Sequence, residues 1–583
     1  MIFYDYEVFK KDWLVVIKDT ATQSETVIVN DSDKLKKFNE AHEDDLWVGY
    51  NNNHYDQWIH KSILCDLDPY ETSKTIIEQN IPGWKISNLF RRIKMFNYDV
   101  MIRGDGGLKS LEGFMGSNIK ESDVDFNIQR KLTQAEIDET IKYCRHDVEE
   151  TMEVFLHRKS DFEAQMALAK LPHDRLELKY LGKTKAQMAA IVLEAQKQSY
   201  SDEFDLQFPD NLEINRYTEV LEFYRNPDNR NYSQKLTTMV AGVPHVYGWG
   251  GVHGAKEKYI GDGYFINMDV TSLYPSLMIQ YGLLSRSIKD PRKFKEIYDT
   301  RVKYKHEGNP LQAPLKIVIN STYGAMKDVS NPLYDPRQAN LVCLYGQLFL
   351  TDLMEKLEPV CEIIQSNTDG VLVKLRNEDD FDLIDDIAWD WEQRTHLSLE
   401  FTEFKRVYQK DVNNYVMVGT DGHVKTKGAW LKKLNPLDND LPIINEALKR
   451  FLVDKVPPQQ TINDCDDLEQ FQQVCKISSK YKTLVHNGEV LNERCVRAYA
   501  SLDADDGGLF KQKYSTNRLE KFANSPKNCF IYNGEVKGAK TPRKLDRQYY
   551  IDMVNDRIRA FGMIPPGEWY QGDLWEHTGG LMM

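Results

Sequence analysis

Asp269-Val270-Thr271-Ser272-Leu273-Tyr274-Pro275-Ser276 and, about a hundred residues on, Asn367-Thr368-Asp369-Gly370 each set one carboxylate at the end of a strand-like stretch. Between them lies Lys316-x-x-x-Asn320-Ser321-x-Tyr323-Gly324. Two carboxylates from neighbouring strands can hold a pair of divalent cations roughly 3.5–4 Å apart, and such a pair stabilises both the attacking and the leaving oxygen of an in-line phosphoryl displacement. A lysine on a nearby helix then faces a triphosphate. The combination implies nucleotidyl transfer.

Working outward, Tyr264 to Asp269 is strand-like. Residues 292–326 predict two antiparallel helices, Arg292 to about Glu307 and Gln312 to about Ile319, broken at Gly308-Asn309-Pro310. Arg301 and Lys305, and likewise Lys316 and Asn320, stand four apart and share a helix face. For Arg301 and Lys305 a salt-bridged surface is the alternative. Cys361 to Leu375 predicts a hairpin with Asn367 to Gly370 at its tip, and a second hairpin joins Lys410 to Tyr415 with Lys425-Thr426-Lys427-Gly428. Residues 161–245 are helical without diagnostic chemistry and lead to the glycine-rich turn Tyr247-Gly248-Trp249-Gly250-Gly251.

The N-terminal part has an α/β pattern, with strands expected at 2–8, 13–17 and 47–50 and a helix from Gln134 to Leu156 led by Thr133. Three acidic motifs sit on it: Asp5-Tyr6-Glu7, Asn52-Asn53-His54-Tyr55-Asp56 and Tyr143-Cys144-Arg145-His146-Asp147. Residues i and i+2 of a strand face the same side, so Asp5 and Glu7 can reach one metal pair together. Tyr143 and Asp147 share a helix face, which lets the phenol orient a water while the carboxylate holds metal. Each motif alone also fits a solvated surface; together they describe a two-metal hydrolytic site.

With 583 residues the chain is too long for one core. Hydrophobic residues at 41% and charged residues at 28% match an ordinary soluble enzyme and exclude disorder as the dominant state. The start lacks the basic-then-apolar pattern of a secretory signal, and no apolar run approaches the ~20 residues that span a bilayer. A cytoplasmic protein without a membrane partner is expected. Eight cysteines occur singly with no C-x-x-C pair, which gives neither a zinc site nor a disulfide framework. The net charge of −14 is unusual for a nucleic-acid enzyme, but residues 511–560 carry twelve Lys/Arg against five acids, interleaved with Tyr514, Tyr532, Tyr549 and Tyr550. That segment is expected to grip a duplex, with a solvated helical surface as the alternative.

On these motifs the chain resembles the family B DNA polymerases of bacteriophage type, with an N-terminal DEDDy 3′–5′ exonuclease domain. The resemblance implies an α/β, ribonuclease H-like exonuclease domain over 1–160 and a connecting, template-contacting region over 161–260. An α+β right hand follows, with palm at 261–290 and 327–430, fingers at 291–326 and a DNA-binding thumb at 431–583. It implies Asp269, the Val270 carbonyl and Asp369 as metal ligands for synthesis, and Asp5, Glu7, Asp56 and Asp147 for exonucleolysis with Tyr143 positioning water. Tyr274 becomes the sugar selector, because its ring leaves no room for the 2′-hydroxyl that marks RNA. Arg301, Lys305, Lys316, Asn320 and Tyr323 are placed on the dNTP, and Asn52 and Lys427 on DNA. The chain departs from the family's D-T-D in having Asn367, and it has one residue more than Y-x-G-G between Tyr247 and Gly250-Gly251.

The cofactor implied is Mg²⁺, two per active site, with Mn²⁺ as a substitute. Implied partners are primer-template DNA and dNTPs, with a helicase or single-strand-binding protein as candidate accessories. Two other readings stay open: an exonuclease with a C-terminal DNA-binding platform, and a protein-primed polymerase. Against protein priming, Asp269 to Lys316 spans only 47 positions and Asn320 to Asp369 only 49, which leaves no evident room for the insertions that hold a priming protein.

Overall fold

Strand Ile2–Val8 is buried along its whole length except at Asp5. Its apolar residues face both ways because it is central in a five-stranded sheet, in the order Ser24–Val29, Trp13–Asp19, Ile2–Val8, Leu46–Gly49, Phe96–Asp99. The first three strands are antiparallel, and the last two run parallel to Ile2–Val8 and to each other. Tyr4, Tyr6, Val15, Ile17 and Trp47 form the core on one face. Helix Gln134–His157 packs on the sheet through its contacts with the first two strands. Its start is a capping box in which Thr133 Oγ1 accepts from Glu136 N and the Glu136 carboxylate accepts from Thr133 N.

This computed structural model describes residues 1–567. The chain forms two units. The first takes in Met1–Lys183, Leu434–Pro442 and Cys465–Tyr549; the second takes in Thr184–Lys433, Ile443–Asp464 and the chain from Tyr550 onward. The bounds drawn from the sequence do not coincide with these units. Residues 161–183 continue the first unit, and most of the segment expected as a thumb, 465–549, folds onto it. The physical reason is buried hydrogen bonding, with Arg497 and Gln472 donating to carbonyls of residues 112–117. The last part of the expected thumb, 568–583, lies outside the described residues.

The C-terminal part of the first unit carries two small sheets, one of Gln473–Lys476, Cys495–Ala500 and Cys529–Ile531 and one built on Tyr481–His486 and Leu509–Lys513. The second unit is built on a nine-stranded antiparallel sheet. Its order is Val424–Lys427, Asn414–Gly419, Leu399–Asp411, Tyr259–Val270, Gly370–Lys374, Glu362–Asn367, His253–Ala255, Val243–Tyr247, Leu236–Val240. Helix Pro336–Leu357, buried almost throughout, packs against this sheet.

Helices Arg292–His306 and Gln312–Lys327 pack together. The second extends two turns beyond the expected end near Ile319. Val318, Ile319, Thr322, Ala325 and Met326 keep the helical period of buried positions, and Thr322 Oγ1 satisfies itself on Val318 O at 2.8 Å. Among the described residues no helix is long and apolar enough to cross a membrane, and all eight cysteines are free.

The capping box starts the helix that carries Tyr143 and Asp147. Thr133→Ala is expected to cost about 1 kcal/mol of first-unit stability, read as a lower unfolding midpoint in denaturant; an unchanged midpoint would show that the cap contributes nothing.

Candidate active sites

In the first unit a cleft of about 510 Å³ is lined by Asp5, Glu7, Asp56, Tyr143 and Asp147, together with Asn51, Gly106 and Gly107. The strand period puts Asp5 and Glu7 on one side. Asp56 opens helix Asp56–Leu64, and its Oδ1 accepts from the Tyr6 backbone N at 3.2 Å, so the strand and the helix are tied at the acidic centre. All four expected carboxylates and Tyr143 come together.

Like charges in a buried cleft oppose ionisation. Burial, then Asp56, Glu7 and Asp147, raise Asp5; burial, then Asp147 and Asp56, raise Glu7. Burial carries Asp56 up to about 7, with Asp99 and Asp147 adding to it despite two backbone hydrogen bonds that lower it. Asp147 rises to about 6 through burial, with Lys109 opposing and Glu112 reinforcing. Burial followed by the Asp147 and Glu7 charges raises the Tyr143 phenol, so it stays protonated and able to donate.

Lys109 is the cation in contact with this group. Its Nζ lies 2.5 Å from Asp147 Oδ1 and 2.9 Å from Glu112 Oε1, and 4.6 Å from the Tyr143 ring centre. The sequence reading attached no role to it. It lies in Gly107-Leu108-Lys109-Ser110-Leu111, legible in the sequence only as the stretch that precedes the last acidic motif. One ammonium cannot balance four carboxylates, and the remaining all-oxygen donor set fits a hard divalent cation. Cys144 Sγ lies within 4.8 Å of ligand atoms of Asp5 and Glu7, a soft donor beside a hard oxygen set, and burial raises that thiol.

Asn52 is placed differently from expectation. It is fully buried, and its amide donates to Asn97 Oδ1 at 2.9 Å and to Tyr98 O at 3.2 Å. It frames the turn, while Asn51, at φ +59°, lines the cleft.

The second unit holds a cavity of about 220 Å³ lined by Ser272, Leu273, Tyr274, Pro275, Met278, Ile319, Asn320, Tyr323, Thr368 and Asp369. Residues from all three quoted motifs therefore meet. Gly370 is the register partner of Asp269, and Val270 N donates to Asp369 O at 2.7 Å, so the backbone brings the two aspartates to adjacent strand ends. A Cβ on Gly370 would lie 2.2 Å from Asp269 Oδ1, which explains the glycine. Burial first, then Asp269, raises Asp369. This oxygen pair likewise suits a hard cation.

Ser272 turns the chain from strand into helix Leu273–Gln280 in the left-handed region at φ +51°, a strained conformation for a residue with a Cβ. The Tyr274 and Tyr323 rings lie 4.4 Å apart at 51°. Lys316 is exposed one turn before Asn320 on the same helix, and Lys305 is exposed on the facing one. Neither they nor the half-buried Arg301 line the cavity.

Lys427 donates to Asn367 Oδ1 at 3.3 Å. Two neighbours escaped the sequence reading because only register reveals them. Lys425 Nζ is 3.5 Å from Asp269 Oδ2, and Glu400 pairs across the sheet with Asp269. The extra residue in the glycine-rich turn is accounted for by Trp249, buried edge-on against Phe204, Tyr224 and Tyr232. Tyr247 is buried and bonds Thr351 at 2.8 Å. Gly251 abuts Thr368, whose Oγ1 would be 2.3 Å from a Cβ there. Lys327, also unassigned from sequence, sits 4.8 Å over the Tyr323 ring and donates to Trp249 O at 3.1 Å.

Among known proteins, the chain is 25% identical over 372 residues to DNA polymerase 1 of Saccharolobus solfataricus, covering 52% of this chain and 40% of that protein. It is 26% identical over 196 residues to DNA polymerase 1 of Sulfurisphaera ohwakuensis, covering 33% and 21% respectively. The chain thus spans less than half the length of these curated relatives. The family B DNA polymerase from Pyrobaculum calidifontis aligns in structure at 14% identity and a TM-score of 0.41, over 98% of this chain and 78% of that one. No protein-family model matches.

The raised carboxylates of the first cleft give a pH prediction. With folded values above the usual carboxylate range, near 3.9 for aspartate, the native state binds more protons than the unfolded chain. Metal-free stability therefore falls as pH rises, and for Asp56 this loss runs from about pH 4 to about pH 7. Thermal unfolding in EDTA should show a lower first-unit Tm at about pH 7.5 than at about pH 5, with Mg²⁺ raising it more at the higher pH. An equal Mg²⁺ effect at both values would contradict the acidic cluster as the cation site.

Proposed function

We propose that the chain is a family B DNA polymerase that extends primers on a template and proofreads them from the 3′ end, in replication of the bacteriophage type. The observation that carries this reading is the second-unit cavity, where Tyr274, Asn320, Tyr323 and Asp369 converge beside Asp269. Similarity to two archaeal proteins named DNA polymerase 1 supports the synthetic activity.

On this reading the strands of the nine-stranded sheet from Tyr259 to Lys427 form the palm, helices Arg292–His306 and Gln312–Lys327 are the fingers, and the five-stranded sheet carries the ribonuclease H-like exonuclease. The DNA-gripping thumb is placed after residue 431; of it, 465–549, with most of the basic stretch from 511, belongs to the same unit as the five-stranded sheet. Asp269 and Asp369, with the Val270 carbonyl, hold the cation pair. When bound, two Mg²⁺ ions, or Mn²⁺ in their place, supply Lewis-acid activation of the primer 3′-hydroxyl and neutralise charge on the leaving pyrophosphate.

The protein's own groups do the positioning. Lys316, Arg301 and Lys305 draw the triphosphate toward the finger helices. Asn320 and Tyr323 press on the nascent pair, and the Tyr274 ring closes the space beneath the sugar. Lys427, held by an amide and not by a carboxylate, keeps its charge available for a primer phosphate. In the first cleft Asp5, Glu7, Asp56 and Asp147 hold the second cation pair. The protonated Tyr143 orients the attacking water, which adds an editing step to base-pair selection.

Primer extension with dNTPs and Mg²⁺, followed by degradation of the same primer without dNTPs, tests both activities. Asp369→Ala should abolish extension and spare degradation, and Asp5→Ala with Glu7→Ala should do the reverse. Wild-type degradation without extension would favour a nuclease with a DNA-binding platform, and product covalently attached to protein at its 5′ end would favour protein priming.

Tyr274→Ala should raise ribonucleotide incorporation relative to dNTP while dNTP extension continues. Unchanged discrimination in that variant would remove the sugar-selecting role.

A further inference from the structure

The guanidinium of Arg497 is fully buried and is surrounded by backbone carbonyls. Its Nε donates to Gly113 O at 3.1 Å and Nη1 to Gly534 O at 2.5 Å, while Nη2 donates to Glu112 O at 3.3 Å and to Ser117 O. Gln472 Nε2 adds a bond to Phe114 O at 3.0 Å. Glu112, Gly113 and Phe114 end the short helix Leu108–Phe114, and last-turn carbonyls have no partner within their own helix. Ser117 N and Gly116 N already bond Glu112 O at 3.1 Å and Gly113 O at 3.2 Å, so a residue nearly four hundred positions later adds a second donor to each of these capped carbonyls, with a positive charge where the helix dipole favours one.

The same helix presents Lys109 and Glu112 to the acidic cleft, where Lys109 meets Asp147 at 2.5 Å. More bonds hold the two segments in register: Ile119 N to Asn533 O and Val536 N to Gly116 O, both 2.9 Å. Packing there is close, since a Cβ on Gly113 would lie 2.8 Å from Val474 Cγ1.

We propose that Arg497 is a positioning residue for the hydrolytic site, setting the helix that delivers Lys109 to Asp147, so that this site is assembled only when the 465–549 segment is docked. The proposal rests on the reading of the first cleft as an exonuclease. Arg497 touches no reacting atom; it acts through helix Leu108–Phe114. Losing the guanidinium takes the donor from the buried carbonyls of Ser117 and Gly534 and the second donor from Glu112 O and Gly113 O, which loosens the helix end against the 465–549 segment.

The test uses the full-length chain. Wild-type degradation of a primer 3′ end establishes the exonuclease reading by itself. If wild type does not degrade, that reading fails, and the proposal fails with it. Given wild-type activity, Arg497→Met should lower exonuclease kcat severalfold or more, up to the roughly ten- to hundredfold that loss of a metal ligand's direct partner such as Lys109 costs. KM and primer extension should stay within about twofold of wild type. Hydrogen exchange should lose protection across 108–119, and Arg497→Lys should recover part of the rate.

In a double-mutant cycle, Lys109→Met should add little to Arg497→Met, because both remove the same contact. Multiplicative losses in the cycle, wild-type exonuclease rates in Arg497→Met, or a matching loss of extension would each overturn the proposal.

Discussion

Carboxylates that repel one another have to be held by something other than their own contacts, and in both sites the backbone does the holding. In the second unit Asp269 and Asp369 sit where two antiparallel strands meet, joined by the bond from Val270 N to Asp369 O and by the register of Asp269 with Gly370. In the first unit the bond from Tyr6 N to Asp56 binds the third carboxylate to the strand that carries the first two. Sheet hydrogen bonds buried in an apolar core are strong enough to keep these groups together before any cation arrives. The raised values of Asp5, Glu7, Asp56 and Asp369 record burial first and then the remaining repulsion.

The arrangement of cations follows from this. Lys109 is buried against Asp147 and Glu112, whose charges outweigh burial and keep it firmly protonated. Lys425 and Asp269 remain about two-fifths exposed, so water and salt weaken their attraction and either can change partner. Lys427 faces the amide of Asn367. An aspartate at 367 would pair with that ammonium, and the exchange of a carboxylate for an amide leaves the charge free for a phosphate.

The docking of residues 465–549 has the same logic at a larger scale. Arg497 is buried without a carboxylate in hydrogen-bonding contact, and burial lowers its proton affinity, so the carbonyls of residues 112–117 and Gly534 are what make its position tolerable. A buried cation satisfied by backbone alone demands a specific fit. That fit joins distant parts of the chain into one unit.

What the sequence determined by itself is whatever depends on local spacing. The two-residue period placed Asp5 and Glu7 on one side, the four-residue period aligned Tyr143 with Asp147 and Lys316 with Asn320, and Thr133 marked a helix start. Gly308-Asn309-Pro310 separated two helices correctly, although the second ran on to Lys327 because buried positions continued at the helical period. Tertiary structure alone decided the inward turn of Asn52, the anchoring of Trp249, the approach of Lys425 and Glu400 to Asp269, and the joining of Arg497 to helix Leu108–Phe114. Each depends on which segments pair across tens to hundreds of residues, and side-chain spacing within one segment carries no information about strand register or about the partner that a buried polar group will find.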